Sequence, residues 1–292
     1  MNYAKKTLAA TLVLAFCFAL SSCNNSILAT TDKYEYRDVE GGTALYRYTS
    51  ISTVDKMEVP DFVDGKPVIE IMDHAISSAE YIKTITIGAN VEKIGDWAIT
   101  NCPSLEKFMI SSNNKHFCID ENGILYNKDK TVLMVYPNAR VRIERDKDGN
   151  ITKGGEITLP GSVKKINATA FYLSTEIYKV NFNEGLEEVG DYAFMKCYNL
   201  SDITLPSTLK KIGTDGFSYC DSLTELEIPA SVSELGDYAF FSLASSIQQI
   251  IINRPLDEFD FVGKDWIPNK NGTARQRVEV ILAEEERSPG IE

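Results

Sequence analysis

The segment Leu205-Pro206-Ser207-Thr208-Leu209-Lys210-Lys211-Ile212-Gly213 belongs to a unit that recurs at intervals of 23 residues. The interval is clearest at a small residue that precedes an aromatic or aliphatic one. That small residue is Ala75, Ala98, Ala170, Ala193, Gly216 and Ala239, with separations of 23, 72, 23, 23 and 23. A second column keeps the same intervals and consists of Ile71, Ile94, Ile166, Val189, Ile212 and Leu235. Two independent columns with one period indicate a repeat architecture.

Each unit predicts one short strand followed by one helical turn. Leu226 and Ile228 alternate with polar residues, which is typical of a strand, and Pro229 ends it because proline donates no ladder hydrogen bond. The position two places before the small residue holds residues that favour the N-cap of a helix: Asp73, Asp96, Asp191, Thr214 and Asp237. The third unit is an exception, because Ala168 occupies this position. Since one unit cannot bury a core alone, the coils are expected to stack around Phe171, Phe194, Phe217 and Phe240.

These residues resemble the BspA-type leucine-rich repeats of bacterial surface proteins, and the resemblance covers residues 57–255. It implies an α/β-type solenoid of leucine-rich repeats, here with a β-hairpin insertion. It also implies an exported, cell-associated protein that binds proteins or glycans. Fold alone does not determine function, so the ligand requires separate observations.

The N-terminus carries the signals of export. Lys5 and Lys6 precede an apolar stretch over residues 8–20, which is typical of a secretory signal and too short to span about 30 Å of hydrocarbon. Leu20-Ser21-Ser22-Cys23 resembles a bacterial lipobox, so Cys23 is predicted to be lipidated and to anchor the chain to the outer membrane or cell surface. The alternative is a plain signal peptide with incidental cysteines.

The repeat spacing predicts the boundaries of seven segments. They are a signal peptide (1–22), a lipidated tether (23–33), an N-terminal β cap (34–56), repeats 1 and 2 (57–110), a β-hairpin insert (111–156), repeats 3 to 6 (157–255) and a C-terminal cap and tail (256–292). Gly41-Gly42 predicts a hairpin in the N-terminal cap. Lys128-Asp129-Lys130 predicts one in the insert, which either extends the sheet or presents a binding face.

The charge balance disfavours nucleic acid as a partner. Removal of residues 1–22 takes away two lysines and no acidic residue, which leaves 28 basic and 42 acidic side chains. Such an acidic chain repels phosphate backbones and anionic surfaces. Membrane association is therefore expected only through the lipid anchor.

The sequence predicts no catalytic centre, no metal site and no cofactor. His116 and Cys118 are too few for zinc, and Asp146, Asp148 and Asn150 lack the glycine and glutamate positions of a calcium loop, so a hairpin turn is preferred. No phosphate-binding glycine loop or nucleophile elbow occurs, and the protein is predicted not to be an enzyme.

Three cysteines form a column of the repeat: Cys102, Cys197 and Cys220. Buried free thiols are the preferred interpretation. Cys197 and Cys220 lie in adjacent coils about 4.8 Å apart, so a disulfide between them stays an alternative in an exported protein.

Strand alternation predicts which side chains form an outward binding face. The two outward columns include Lys107, Met109, Lys179, Asn181, Asp202, Thr204, Glu225 and Glu227. Their charge changes from basic to acidic along the solenoid, which suits a protein partner of complementary charge, although a solvated face has the same pattern. The leading hypothesis is therefore a surface adhesion or protein-interaction module. The alternative is a glycan-binding accessory lipoprotein of a polysaccharide-uptake system that uses Tyr126 and Tyr136 of the insert.

Overall fold

The computed structural model describes residues 27–30, 34–49, 53–149, 151–241, 249–254, 256–264, 266 and 279–282. They form a β-solenoid of stacked coils with the 23-residue period of the sequence. The predicted signal peptide and Cys23 lie outside the described residues.

The strands are short and follow one another in every coil. The N-terminal part contains β1 (Ile27–Thr30), β2 (Tyr34–Val39), β3 (Gly42–Tyr48), β4 (Lys56–Glu58), β5 (Phe62–Val63), β6 (Lys66–Ile71), β7 (Ile76–Ser77), β8 (Thr84–Ile87), β9 (Lys93–Ile94), β10 (Ile99–Thr100) and β11 (Lys107–Ile110). The insert contains β12 (Phe117–Ile119), β13 (Leu125–Asn127), β14 (Val132–Val135), β15 (Glu144–Arg145) and β16 (Ile151–Lys153).

The C-terminal part contains β17 (Glu156–Thr158), β18 (Lys165–Ile166), β19 (Lys179–Asn181), β20 (Glu188–Val189), β21 (Asp202–Ile203), β22 (Lys211–Ile212), β23 (Glu225–Ile228), β24 (Glu234–Leu235), β25 (Gln249–Ile252), β26 (Phe261–Val262) and β27 (Glu279–Leu282). In the described coils the only helical segment is a 3₁₀ helix at Leu256–Glu258.

Most of the parallel strands lie on two sides of the solenoid. We call one the front face, and it consists of three separate sheets: β4-β8-β11, β17-β19-β21 and β23-β25-β27. The other, the side face, carries an eight-stranded sheet in the order β12-β13-β14-β18-β20-β22-β24-β26. A glycine follows four of these strands, β20, β22, β24 and β26, and permits close stacking. A Cβ on Gly190 would lie 2.7 Å from the backbone nitrogen of Ala168 in the preceding coil.

The predicted helical turn is wrong. In the segment 190–197 the N–H groups of Tyr192, Phe194 and Lys196 donate to carbonyl oxygens of the next coil at 2.7, 2.8 and 2.8 Å. The N–H groups between them close tight turns within the coil, as Met195 does to the carbonyl of Tyr192 at 3.1 Å. A helix would direct every N–H along its own axis, so these bonds between coils exclude it.

The aspartates predicted as helix caps also bond between coils. Asp73 Oδ1 accepts a hydrogen bond from the N–H of Asp96 at 2.9 Å, and Asp191 Oδ1 accepts one from Thr214 at 2.8 Å. The donor lies one coil later, not in the first turn of a helix. The acidic column therefore binds neighbouring coils together.

Stacked phenylalanines fill the interior, as the sequence predicts. The ring centroids of Phe171 and Phe194 are 4.6 Å apart, and those of Phe194 and Phe217 are 5.0 Å apart. All are fully buried, and such aromatic pairs stabilise by about 0.5–1.5 kcal/mol beyond the area that they bury.

The insert is part of the solenoid. Strand β13 pairs antiparallel with β14, which is the hairpin expected around Lys128-Asp129-Lys130. Strand β14 then pairs parallel with β18, so the hairpin extends the side-face sheet. A second small hairpin, β15 with β16, follows at Asp148-Gly149.

Further strands pair at both ends of the solenoid. Strand β1, within the predicted tether, pairs antiparallel with β2, and β2 pairs with β3 in the hairpin predicted at Gly41-Gly42. At the other end β26 pairs with β24, and the N–H of Phe240 donates to the carbonyl of Trp266 at 3.1 Å. A further coil is therefore stacked where the sequence predicts only a cap.

Candidate functional site

All eight predicted binding residues lie on the front face. Lys107 and Met109 are on β11, Lys179 and Asn181 on β19, Asp202 on β21 with Thr204 just after it, and Glu225 and Glu227 on β23. Most are exposed, Met109 to 44%, whereas the residues between them, such as Phe108 and Val180, point into the core. Alternation of strand side chains thus places these residues outward.

The structure does not join these residues into one continuous row. Lys107 belongs to the first front-face sheet, and the insert covers the edge of that sheet, where the N–H of Phe108 donates to the carbonyl of Gly123 at 3.0 Å. Gly123 has a φ of 72°, and a Cβ there would lie 2.6 Å from the Cβ of Lys107. The insert loop therefore separates Lys107 from Lys179.

Lys179 is already paired. Its Nζ lies 2.8 Å from Asp202 Oδ2 on the next strand, and the hydrogen bond with this carboxylate raises the pKa of Lys179. Asn181 likewise donates to Glu156 Oε1 at 2.9 Å and to Thr158 Oγ1 at 3.1 Å. The basic-to-acidic gradient expected along the face is thus partly neutralised within the protein.

A groove of about 590 Å³ opens on the acidic part of the front face. It lies between β21 and β23, which occupy adjacent coils but are not paired with each other in the described part of the chain. Three of the predicted residues line it: Thr204, Glu225 and Glu227. The sequence columns did not indicate the other polar residues that line it, which are Glu184, Ser207 and Asn253.

A second surface consists of half-buried aromatic rings on the turn segments. The ring of Trp97 lies 5.1 Å from that of Tyr172 and 4.9 Å from that of Tyr192, measured between centroids. We call these three residues the aromatic strip. Trp97 precedes the insert and Tyr172 and Tyr192 follow it, so the aromatic strip joins turn segments from both sides of the insert.

The insert tyrosines are not available to a ligand. Tyr126 and Tyr136 are 0% and 1% exposed, and burial raises the pKa of Tyr136 to about 12. A glycan-binding role that uses Tyr126 and Tyr136 is therefore contradicted, because both rings belong to the core.

The cysteine column consists of buried free thiols. Cys197 Sγ donates to the carbonyl of Phe171 at 3.1 Å, and Cys220 Sγ donates to that of Phe194 at 3.2 Å. Each thiol therefore bonds to the preceding coil and not to the neighbouring sulfur. Burial raises the pKa of both thiols.

Within the described residues, no group of three His, Cys, Asp or Glu side chains is placed to hold a metal ion. No helix in the same part of the chain is both long and apolar enough to cross a membrane.

Comparison with solved structures identifies a shared fold. The pneumococcal vaccine antigen PcpA is similar with a TM-score of 0.62 and 22% identity, over 82% of this chain and 60% of that one. This chain thus spans less than two thirds of the PcpA chain. A leucine-rich repeat protein from Eubacterium ventriosum gives a TM-score of 0.44 and 19% identity, over 77% of each chain. A leucine rich cell surface protein from Faecalibacterium prausnitzii gives 0.36 and 17%, over 90% of this chain and 97% of that one.

Comparison with protein families identifies the repeat. A search of the curated proteins finds no match. The family described as the BspA type leucine rich repeat region matches residues 48–126 and 150–261 in 6 copies, which is most of the chain. The chain therefore belongs to the BspA-type leucine-rich-repeat family.

Proposed function

We propose that this protein is a membrane-anchored binding protein whose front face contacts a protein partner at the cell surface. The observation that carries the proposal is the groove between β21 and β23, which is lined by three of the residues that strand alternation predicts to face outward. Family membership supports a binding role, because leucine-rich repeats present extended surfaces formed by stacked units. We propose no catalytic activity.

The experiment is a binding screen of the mature chain against purified extracellular-matrix proteins, followed by two variants. Glu225→Lys/Glu227→Lys reverses the charge of the groove, and Lys107→Gln/Lys179→Gln removes the basic charges of the face without placing a carboxylate opposite Asp202. Loss of binding in either variant, with thermal unfolding nearly unchanged, supports the front face. A matched control, Glu80→Lys/Glu121→Lys, alters two exposed carboxylates away from the groove. Binding that survives both front-face variants contradicts the proposal.

Anchoring through Cys23 is part of the same proposal. Its support is the lipobox-like sequence after the apolar stretch. Acyl chains contribute about 0.8 kcal/mol for each buried methylene, so several chains would hold the protein stably. Replacement Cys23→Ala should move the protein from the membrane fraction to the soluble fraction. Protease treatment of intact cells then shows whether the anchored form faces outward.

The aromatic strip favours a second candidate, a glycan-binding accessory role in a polysaccharide-uptake system. Half-exposed aromatic rings offer flat apolar faces to sugar rings, and Trp97 and Tyr192 supply such faces. A glycan-array signal of the mature chain that is lost in Trp97→Ala selects this candidate. A signal that persists in the variant rejects it.

A further inference from the structure

Among the described residues, the gap between β21 and β23 leaves two strand edges without a partner strand. Asp202 N–H donates to the carbonyl of Tyr178 at 3.0 Å, so Asp202 faces β19. Successive residues of a pleated strand direct their backbone groups to opposite sides. Ile203 therefore directs its N–H and C=O toward the gap. No ladder joins these two strands in the described part of the chain.

The opposite edge is arranged in the same way. The carbonyl of Ile228 accepts a hydrogen bond from the N–H of Asn253 at 3.0 Å, so Ile228 faces β25. By the same alternation Glu225 and Glu227 direct their backbone groups toward β21. Both walls of the groove thus offer donors and acceptors at the spacing of a strand.

The order of charges changes at the coil where the front face separates. Lys179 stands beside Asp202 and forms an ion pair, and their strands are paired. One coil later Glu225 occupies the same position, so a carboxylate follows a carboxylate. Like charges directly opposite each other destabilise strand pairing.

The lining of the groove is acidic, with Glu184, Glu225 and Glu227 among its residues. No lysine, arginine or histidine is among the residues described as lining it. Glu184 accepts hydrogen bonds from the N–H and hydroxyl of Ser207, and Glu227 accepts one from the side-chain amide of Asn253. Glu225 forms no ion pair with any described residue. The apolar side chains of Ile203, Leu226 and Ile251 lie between these polar groups.

We propose that this groove binds an extended segment of a partner protein that carries lysine or arginine side chains. The segment adds a strand to the edge of β21 or β23 through its backbone, and its cations pair with Glu225 and Glu227. Strand addition gives affinity through main-chain hydrogen bonds and specificity through alternate side chains. A helical partner segment would not suffice, because its backbone groups are already bonded to one another. The inference rests on the proposed function, since it names the chemistry of the partner for the same face.

The test uses the mature chain and a fluorescently labelled peptide of about eight alternating lysine and threonine residues, a usual strand length. Two control peptides accompany it. One replaces every lysine by glutamate, and the other keeps the lysines but carries N-methyl groups on the threonine backbone nitrogens. Binding is measured by fluorescence anisotropy at low salt. Hydrogen exchange at Ile203, Glu225 and Glu227 is followed with and without peptide.

We expect the lysine peptide to bind, to slow exchange at these amides, and to bind about tenfold more weakly to Glu225→Gln/Glu227→Gln, a change of about 1.4 kcal/mol. The matched control Glu80→Gln/Glu121→Gln should bind as the unaltered chain does. The glutamate peptide and the N-methylated peptide should bind much more weakly.

Three outcomes overturn the inference. Equal binding of the N-methylated peptide means that charge alone attracts the lysines, without strand addition. Equal binding by the Glu225→Gln/Glu227→Gln variant places the peptide elsewhere. Failure of the lysine peptide to bind, while a partner from the screen still depends on Lys107 and Lys179, overturns the inference and leaves the proposed function supported.

Discussion

Non-glycine residues with left-handed backbones occupy one position of successive coils. The set is His74, Trp97, Thr169, Tyr192, Asp215 and Tyr238, with φ between 51° and 59°. Such a conformation costs about 1–2 kcal/mol for a residue with a Cβ. Hydrogen bonds between coils offset this cost, as when the N–H of Tyr192 donates to the carbonyl of Thr214 at 2.7 Å. The stacking of the coils therefore stabilises this strained backbone conformation.

Thr169 gives the sharpest test of this strain, because a β-branched residue is the least suited to its φ of 59°. Thr169→Asn should raise the free energy of unfolding by about 0.5–1 kcal/mol, since asparagine adopts the left-handed conformation more readily. Urea unfolding measures the change. Thr224→Asn is the control, at an exposed residue outside the left-handed region, and should leave stability nearly unaltered. A stability equal to or below that of the unaltered chain would show that Thr169 is not strained.

The thiol of Cys102 predicts a pH dependence of stability. Burial raises the pKa of the Cys102 thiol to about 11. Because the folded state holds the proton more tightly than the unfolded state, stability is full below pH 9 and falls as the pH rises toward 11, by up to about 1.4 kcal/mol per pH unit. Urea unfolding between pH 9 and pH 11 should show a smaller loss of stability per pH unit for Cys102→Ala than for the unaltered chain. Identical slopes for the two proteins would contradict the assignment.

At the scale of elements, charged residues help decide which strands pair. On the side face Lys165 lies 3.0 Å from Glu188, and Lys211 lies 3.5 Å from Glu234, each on the neighbouring strand. Exposed pairs of this kind contribute about 0.2–1 kcal/mol each. On the front face the alternation is lost after Asp202, where the ladder ends.

Restoring the alternation should close the gap. In Glu225→Lys a cation would stand beside Asp202, and we expect the free energy of unfolding to rise by about 0.5 kcal/mol. Amide exchange at Ile203 should slow at the same time, because the N–H gains a partner. Glu80→Lys makes the same charge change at an exposed residue away from the groove. It should alter neither the free energy of unfolding nor the amide exchange at Ile203. Unchanged exchange at Ile203 would mean that charge does not hold these strands apart.

The sequence predicts the elements that depend on local spacing and misses those that depend on contacts between coils. Alternation around Leu226 predicts a strand and its outward face, and Lys128-Asp129-Lys130 predicts a hairpin, because both patterns are local. The turn segments resemble helix starts in composition, yet the next coil takes their N–H groups. For the candidate site, the columns predict that Glu225 and Glu227 face outward. They cannot show that β21 and β23 separate. A column of the repeat shows which residues occupy equivalent positions in successive coils, but not whether their strands are hydrogen-bonded.

At the scale of the whole molecule, the insert connects two hydrophobic cores. Leu125 packs in the N-terminal core, with Phe108 and Phe117, whereas Tyr126 and Leu133 pack in the C-terminal core. Neighbouring residues of β13 thus point into opposite halves of the solenoid. Since stability in a stacked array is transmitted between neighbouring coils, we expect this hairpin to contribute to the joint unfolding of the two halves.

Weakening that contact should separate their unfolding. Leu125→Ala removes a fully buried side chain and is expected to cost about 2–5 kcal/mol, localised in the N-terminal core. The two tryptophans report on it, because Trp97 rests against Tyr172 across the insert and Trp266 is buried at the C-terminal end. In Leu125→Ala, the fluorescence of Trp97 should change at a lower urea concentration than that of Trp266. Each tryptophan is measured in a protein in which the other is replaced by phenylalanine. Leu209→Ala, a buried leucine of the C-terminal core away from β13, should not give Trp97 the earlier transition. Coincident transitions in Leu125→Ala would show that the cores are coupled by contacts other than the hairpin.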